Sequence, residues 1–146
     1  MKNIQPPQDV IFSIPIDLPI PLDDGACDHL ENMPIPNVSL WSTDDQEVNL
    51  SSLSDWNVIF CYPMTGRPGV PIPEGWVKIP GAAGCTPQAC SYRDNYAELK
   101  RNSIGIYGIS TQKSEVQKEA SNRLGLPYPL LSDENNSFSS ALKLPM

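Results

Sequence analysis

The placement of proline constrains this chain more than any other feature: seven of its sixteen prolines fall within the first 36 residues. Proline has no backbone N–H and its ring clashes with the preceding helical turn, so regular helix and inner strand are both excluded there. The run Ile14-Pro15-Ile16-Asp17-Leu18-Pro19-Ile20-Pro21 alternates proline with aliphatic residues, which favours an extended, polyproline-like segment lying on a surface. Residues 1–36 are therefore predicted to form a proline-rich arm. The same prolines interrupt the apolar stretch that a secretory signal needs, and the chain is read as cytoplasmic. The rest, residues 37–146, is one domain in length.

Within it the patterning is regular. Val38 and Leu40 face Val48 and Leu50 across the polar Ser42-Thr43-Asp44-Asp45-Gln46, which predicts a β-hairpin. Trp56 to Pro63 is a continuous apolar run, the mark of a strand covered on both faces, and it is placed in the middle of the sheet. Between 64 and 84, Pro68, Pro71, Pro73 and Pro80 mingle with five glycines. That predicts a loop of about 20 residues without structure, a length usually reserved for function. Thr86-Pro87 is a helix-start signal, and Ala89, Tyr92, Tyr96 and Leu99 recur at helical spacing, so one helix is predicted over about 86–101. Ile104, Ile106 and Ile109 give a strand. Ser114 opens a second helix through Val116, Ala120 and Leu124, closed by Gly125. Residues 129–132 form another strand, and Phe138, Ala141 and Leu142 a last short helix. The order β, loop, α, β, α, β, α predicts a largely parallel α/β sheet with right-handed crossovers.

Charge narrows the function. Seventeen acidic against ten basic residues, a net charge of −7, leave no basic stripe for phosphates or an anionic membrane. No apolar run approaches the roughly 18 residues that span a bilayer. Four cysteines are too few for a disulfide-stapled scaffold, so their positions matter more than their number. Cys85 stands immediately before the Thr86-Pro87 helix start, where unpaired N–H groups and the helix dipole stabilise a thiolate. Cys90 lies five residues on, with alpha carbons roughly 8 to 9 Å apart in an ideal helix. A disulfide needs less than about 7 Å, so joining the two requires the first turns to unwind. The spacing is too wide for a zinc site with His29 as the one imidazole, and no C-x-x-C dithiol is present. Cys61 reads as core, and Cys27, beside Asp28 and His29, as a bystander.

The segment Gly84-Cys85-Thr86-Pro87-Gln88-Ala89-Cys90-Ser91-Tyr92-Arg93-Asp94 resembles the active-site helix of the peroxiredoxins, in particular the bacterioferritin-comigratory or Prx Q branch, with its pattern G-C-T-x-x-A-C-x-[FY]-R-D. Phe60-Cys61-Tyr62-Pro63, the strand at 104–110 and Leu126 to Asp133 extend the likeness to about Asn37–Met146. The resemblance implies a thioredoxin-like fold and a thiol peroxidase acting on hydrogen peroxide or alkyl hydroperoxides. It implies Cys85 as peroxidatic and Cys90 as resolving cysteine, no metal or organic cofactor, and a thioredoxin-like reductant. A non-catalytic thioredoxin-fold interaction module is the alternative. The family's P-x-x-x-T-x-x-C motif meets Ala82 three residues before Cys85. Either Pro63 and Thr65 serve that motif across an inserted 66–84 segment, or they simply end the strand. Arg93 and Arg67 are candidates for the family's peroxide-orienting arginine, Arg93 also being placed to pair with Asp94. Family members continue beyond the position of Met146, so the fold is expected to be C-terminally incomplete, with an uncovered sheet edge open to self-association.

Overall fold

The computed structural model describes residues 18–145; Met1 to Asp17 of the predicted arm, with Ile14–Asp17 of the alternating run, and Met146 lie outside them. The described part of the arm has no strand, as its prolines dictate, and Ile20 and Leu22 are largely exposed. Asp23 and Asp24 accept from the backbone N–H groups of Gly25 and Ala26, which sets up a turn into a 3-10 helix at Asp28–Leu30. His29 Nε2 then lies 2.8 Å from the Leu142 carbonyl, tying the arm to the far end of the described chain.

Five strands follow: β1 Ser39–Ser42, β2 Glu47–Asn49, β3 Asn57–Cys61, β4 Gly105–Ser110 and β5 Leu130–Ser132. Their order is β2-β1-β5-β4-β3. The predicted hairpin is β1–β2, paired antiparallel through Leu40 and Val48. β3, β4 and β5 are mutually parallel, but β1 runs antiparallel to β5, so the sheet is mixed rather than largely parallel. β3 is also not the middle strand: among the described residues it pairs with β4 alone and forms an edge. Its apolar run reported correctly that both faces are packed, Phe60 in one apolar cluster and Ile59 against the other. Side chains register what lies above and below a sheet, not what lies beside it. Cys61, predicted as core, is exposed, because it ends the strand over a shallow cavity lined by Ile109, Leu144 and Pro145.

Gly108 makes the centre of the sheet possible. A β-carbon there would lie 2.7 Å from both Leu130 Cδ2 and Phe60 Cζ, so the missing side chain is what lets those two approach over β4.

The helices are α1 Cys85–Asp94, α2 Tyr96–Arg101, α3 Ser114–Leu124 and α4 Ser137–Ala141. The single helix predicted for 86–101 is two. Asn95 leaves helical geometry (φ −100°, ψ 4°), and its side-chain amide donates to the Ser91 carbonyl at 2.8 Å, competing with the helix's own bonds. α1 begins one residue early, at Cys85, out of a 3-10 turn at Ala82–Gly84, with no side-chain cap from Thr86. α3 has the predicted bounds and ends at Gly125 in the left-handed region (φ 62°). Its buried face is Gln117, Ala120 and Leu124, leaving Val116 exposed, so a polar residue takes a place the apolar count gave to valine. The loop at 64–84 is not structureless: it holds 3-10 turns at Trp76–Lys78 and Ala82–Gly84, each entered through a glycine at φ near 80°. No helix among the described residues is long and apolar enough to cross a membrane.

Candidate active site

α1 is laid across β3 and β4 by aromatic packing. Tyr92 stacks on Phe60 with centroids 4.8 Å apart, and the buried Tyr128 hydroxyl donates to the Ala89 carbonyl at 2.7 Å. Arg93 Nη1 donates to the Leu124 carbonyl at 2.7 Å, so the C-terminal half of α1 is also fastened to α3. These contacts bring the N-terminus of α1 against the chain leaving β3. There the half-buried Cys85 donates its S–H to the Met64 carbonyl at 2.8 Å. The contact belongs to the protonated thiol, since a carbonyl oxygen accepts a proton and repels a thiolate.

The Tyr62–Thr65 segment beside it is ordered by the end of β4. The Tyr62 N–H donates to the Ile109 carbonyl at 2.9 Å, and Ser110 Oγ to the Pro63 carbonyl at 3.2 Å. Thr65 is buried, with its backbone N–H 2.8 Å and its Oγ1 3.2 Å from Gln112 Oε1. The fold thus brings the Met64 carbonyl, which lies between Pro63 and Thr65 in the chain, to Cys85 across the twenty residues of sequence that part Thr65 from it. Cys90 is half-buried on the same unbroken helix, and both thiols are free. Arg93 is not brought to Cys85: its Nε pairs with Asp94 at 2.8 Å. Its guanidinium is pushed up mainly by that hydrogen bond, against a small burial effect, with further support from Cys90. Arg67 has no hydrogen bond from its side chain among the described residues.

Two neighbours of the candidate site escaped sequence reading. Gln112 is a polar loop residue with no periodic signal, and Arg123, whose Nη2 donates to the Gly66 carbonyl at 2.7 Å while Nε holds Glu119, lies 57 positions from that contact. Tyr62 had a signal in the Tyr-Pro pair, but not its state: its hydroxyl is buried without a hydrogen-bond partner among the described residues. Burial, then Cys85 and Tyr128, push the phenol up. At the strand's other face, the thiol of the exposed Cys61 is pushed up first by the protein packed around its sulfur, then by Asp133 and Cys27.

A family model described as Redoxin matches residues 30–146. Peroxiredoxin Bcp of Escherichia coli is 34% identical over 102 residues, covering 69% of this chain and 56% of that protein. The chloroplastic peroxiredoxin Q of Sedum lineare is 33% identical over 105 residues, 69% of this chain and 48% of that one. The chain spans about half the length of the curated relatives it matches. Among solved structures, peroxidoxin BcpB of Mycobacterium tuberculosis superposes with a TM-score of 0.60 at 25% identity, over 76% of this chain and 64% of that one. The bacterioferritin comigratory protein of Xanthomonas campestris does so at 0.58 and 19%, over 87% and 66%, a likeness of fold.

Proposed function

The chain belongs to the redoxin family, in its bacterioferritin-comigratory, Prx Q-like branch with a thioredoxin-like fold, and from that premise we propose that it is a thiol peroxidase working through Cys85 and Cys90. The observation that carries the proposal is the convergence on one sulfur: Cys85 opens α1 while Pro63, Met64 and Thr65 arrive from β3 to meet it. Cys85 thiolate attacks one oxygen of hydrogen peroxide or an alkyl hydroperoxide. An S–O bond forms as the O–O bond breaks, and the leaving oxygen takes a proton to depart as water or alcohol. Cys90 thiolate then attacks the sulfenic sulfur, expelling hydroxide as water and closing a disulfide. A thioredoxin-like dithiol returns both thiols by exchange.

Because the cysteines are i and i+5 on one helix, the disulfide requires α1 to open. The ties support opening from its N-terminal end, since Tyr92, Arg93 and the Ala89 carbonyl are anchored while the first turn has the Cys85–Met64 contact. Arg93, bonded to Asp94 and the Leu124 carbonyl two turns along α1 from Cys85, holds that helix to α3 rather than orienting the peroxide. Self-association through the open side of β3 belongs to the same reading, and solution mass measures it.

Stoichiometric peroxide tests the proposal. Cys85→Ser is expected to abolish peroxide consumption, whereas Cys90→Ser completes one turnover and leaves a sulfenic acid that a dimedone-type reagent traps. Thiols that react no faster than free cysteine would favour the non-catalytic module.

A further inference from the structure

The side chain of Gln112 joins the end of the sheet to Thr65, and its bonds define its chemistry. The Thr65 N–H can only donate, so the atom 2.8 Å from it is the amide oxygen, which fixes the orientation of the Gln112 amide. The same oxygen lies 3.2 Å from Thr65 Oγ1, and being an acceptor it takes the hydroxyl proton. The amide nitrogen completes the clasp weakly, 3.4 Å from the Thr65 carbonyl.

The clasp has a rigid base. The Gln112 carbonyl accepts from Ser132 Oγ at 2.8 Å and from Gln117 Nε2 at 2.8 Å. Gln117 is fully buried in α3, and its amide also reaches the carbonyls of Leu131 and Ser110 at 3.1 and 3.2 Å. The Gln112 N–H donates to Ser110 Oγ, the hydroxyl that holds the Pro63 carbonyl. A buried helix residue, two strand ends and one loop amide therefore fix the backbone that meets Cys85.

We propose that Gln112 is a positioning residue for the peroxidase reaction, one that holds the Pro63–Thr65 backbone against Cys85 and sets Thr65 Oγ1 as an acceptor for the peroxide O–H. A hydroxyl has one proton to give. With that proton committed to Gln112, Thr65 presents only lone pairs, so a hydroperoxide binds by donating to it and turns its O–O bond in one direction. The inference rests on the peroxidase reading. It concerns a residue 27 positions from Cys85 in sequence that touches neither cysteine.

The test compares, in the full chain carrying Cys90→Ser, the rate of Cys85 oxidation by hydrogen peroxide with its rate of alkylation by iodoacetamide. Their ratio cancels any change in the thiolate fraction. In Gln112→Met, of similar length but without an acceptor, the ratio is expected to fall about 10- to 100-fold, as displacement of a reacting group by about 1 Å does. In Gln112→Glu, which keeps an acceptor for both Thr65 donors, the ratio stays within about fivefold of the starting protein. Should Gln112→Met not fold, Gln112→Asn withdraws the oxygen by one methylene and is expected to show the same loss. A ratio unchanged in Gln112→Met, or as low in Gln112→Glu as in Gln112→Met, overturns the inference while leaving the peroxidase reading intact. A starting ratio equal to that of free cysteine removes both.

Discussion

Residues 62–65 and residues 66–84 are consecutive in the chain and are held in opposite ways. The first segment is tied through Tyr62, Pro63 and Thr65 to the Ile109–Gln112 end of β4, and Thr65 is buried. The second is bonded mostly to itself, in turns such as Val70 N–H to Arg67 carbonyl and Ala82 N–H to Ile79 carbonyl, with Arg123 gripping only its first carbonyl. It exposes Val70, Val77 and Ile79. The half of the site that comes before the loop is thus positioned by the sheet, and the loop is a detour between two fixed ends. Length in sequence between Thr65 and Cys85 is no measure of their separation in the site.

The largest effect is expected where the tethered end of the sheet is anchored. Asp133 donates its N–H to the Ser110 carbonyl, and its buried carboxylate accepts from the N–H groups of Phe138 and Ser139 and the hydroxyl of Ser137. Asp133→Ala leaves the Phe138 N–H buried and unpaired and removes the bonds to Ser137 and Ser139, at about 2 to 3 kcal/mol. Burial alone would raise this carboxyl, but the hydrogen bonds outweigh it and hold it below the usual range. A depressed native pKa contributes stability above the unfolded value of about 3.9, lost as pH falls through it toward the lower native value. The stability gap between the protein and Asp133→Asn, read by urea unfolding, is therefore expected to be full at pH 7 and to shrink below about pH 4. A gap that grew on acidification would reverse the sign of the argument.

Next comes Gly108. Gly108→Ala sets a methyl against Leu130 and Phe60, the ring that carries Tyr92 and so α1. Overpacking of this kind costs about 1 to 3 kcal/mol, and a drop in thermal midpoint measures it. The same substitution should slow the peroxide reaction of Cys85, because the strain passes through Phe60 to the helix. An unchanged rate would show that α1 is positioned independently of the sheet.

How much of this was legible in sequence follows from what kind of interaction each feature is. The hairpin, α3 with its closing Gly125, and a cysteine at a helix start are local events, and local residues announce them. The neighbour of β3 is set by pairing between segments more than forty residues apart, and an apolar run cannot carry that information. Asn95 gave no usable signal, because a single amide that competes with its helix looks the same in sequence as one that points to solvent. Gln117 defeated the apolar count for a related reason: a buried amide with carbonyl partners substitutes for a valine only once three strand and loop ends meet around it. The candidate cysteines were legible through chemistry and motif. The clasp that Gln112 makes on Thr65 was not, since it exists only when positions 65 and 112 are already side by side.

The smallest effect is expected in the loop, and it puts the comparison itself at risk. If the segment is a detour, its apolar residues do not hold the site, and Val77→Ser and Ile79→Ser, both more than half exposed, should each change stability by no more than about 0.5 kcal/mol. The backbone there should also be the easiest to cut. Of its two basic residues, Arg67 precedes a proline and resists trypsin, while Lys78 precedes Ile79 in an exposed turn. The first tryptic nick under native conditions is therefore expected after Lys78. The two pieces should stay together, because β3 and β4 pair across the cut and α1 still packs on Phe60. Cys85 in the nicked protein should then react with peroxide at a rate within a few-fold of the intact chain. Separation of the pieces on size exclusion, or loss of the reaction with the pieces still joined, would mean that the loop is a structural part of the site and that the sheet alone does not position it.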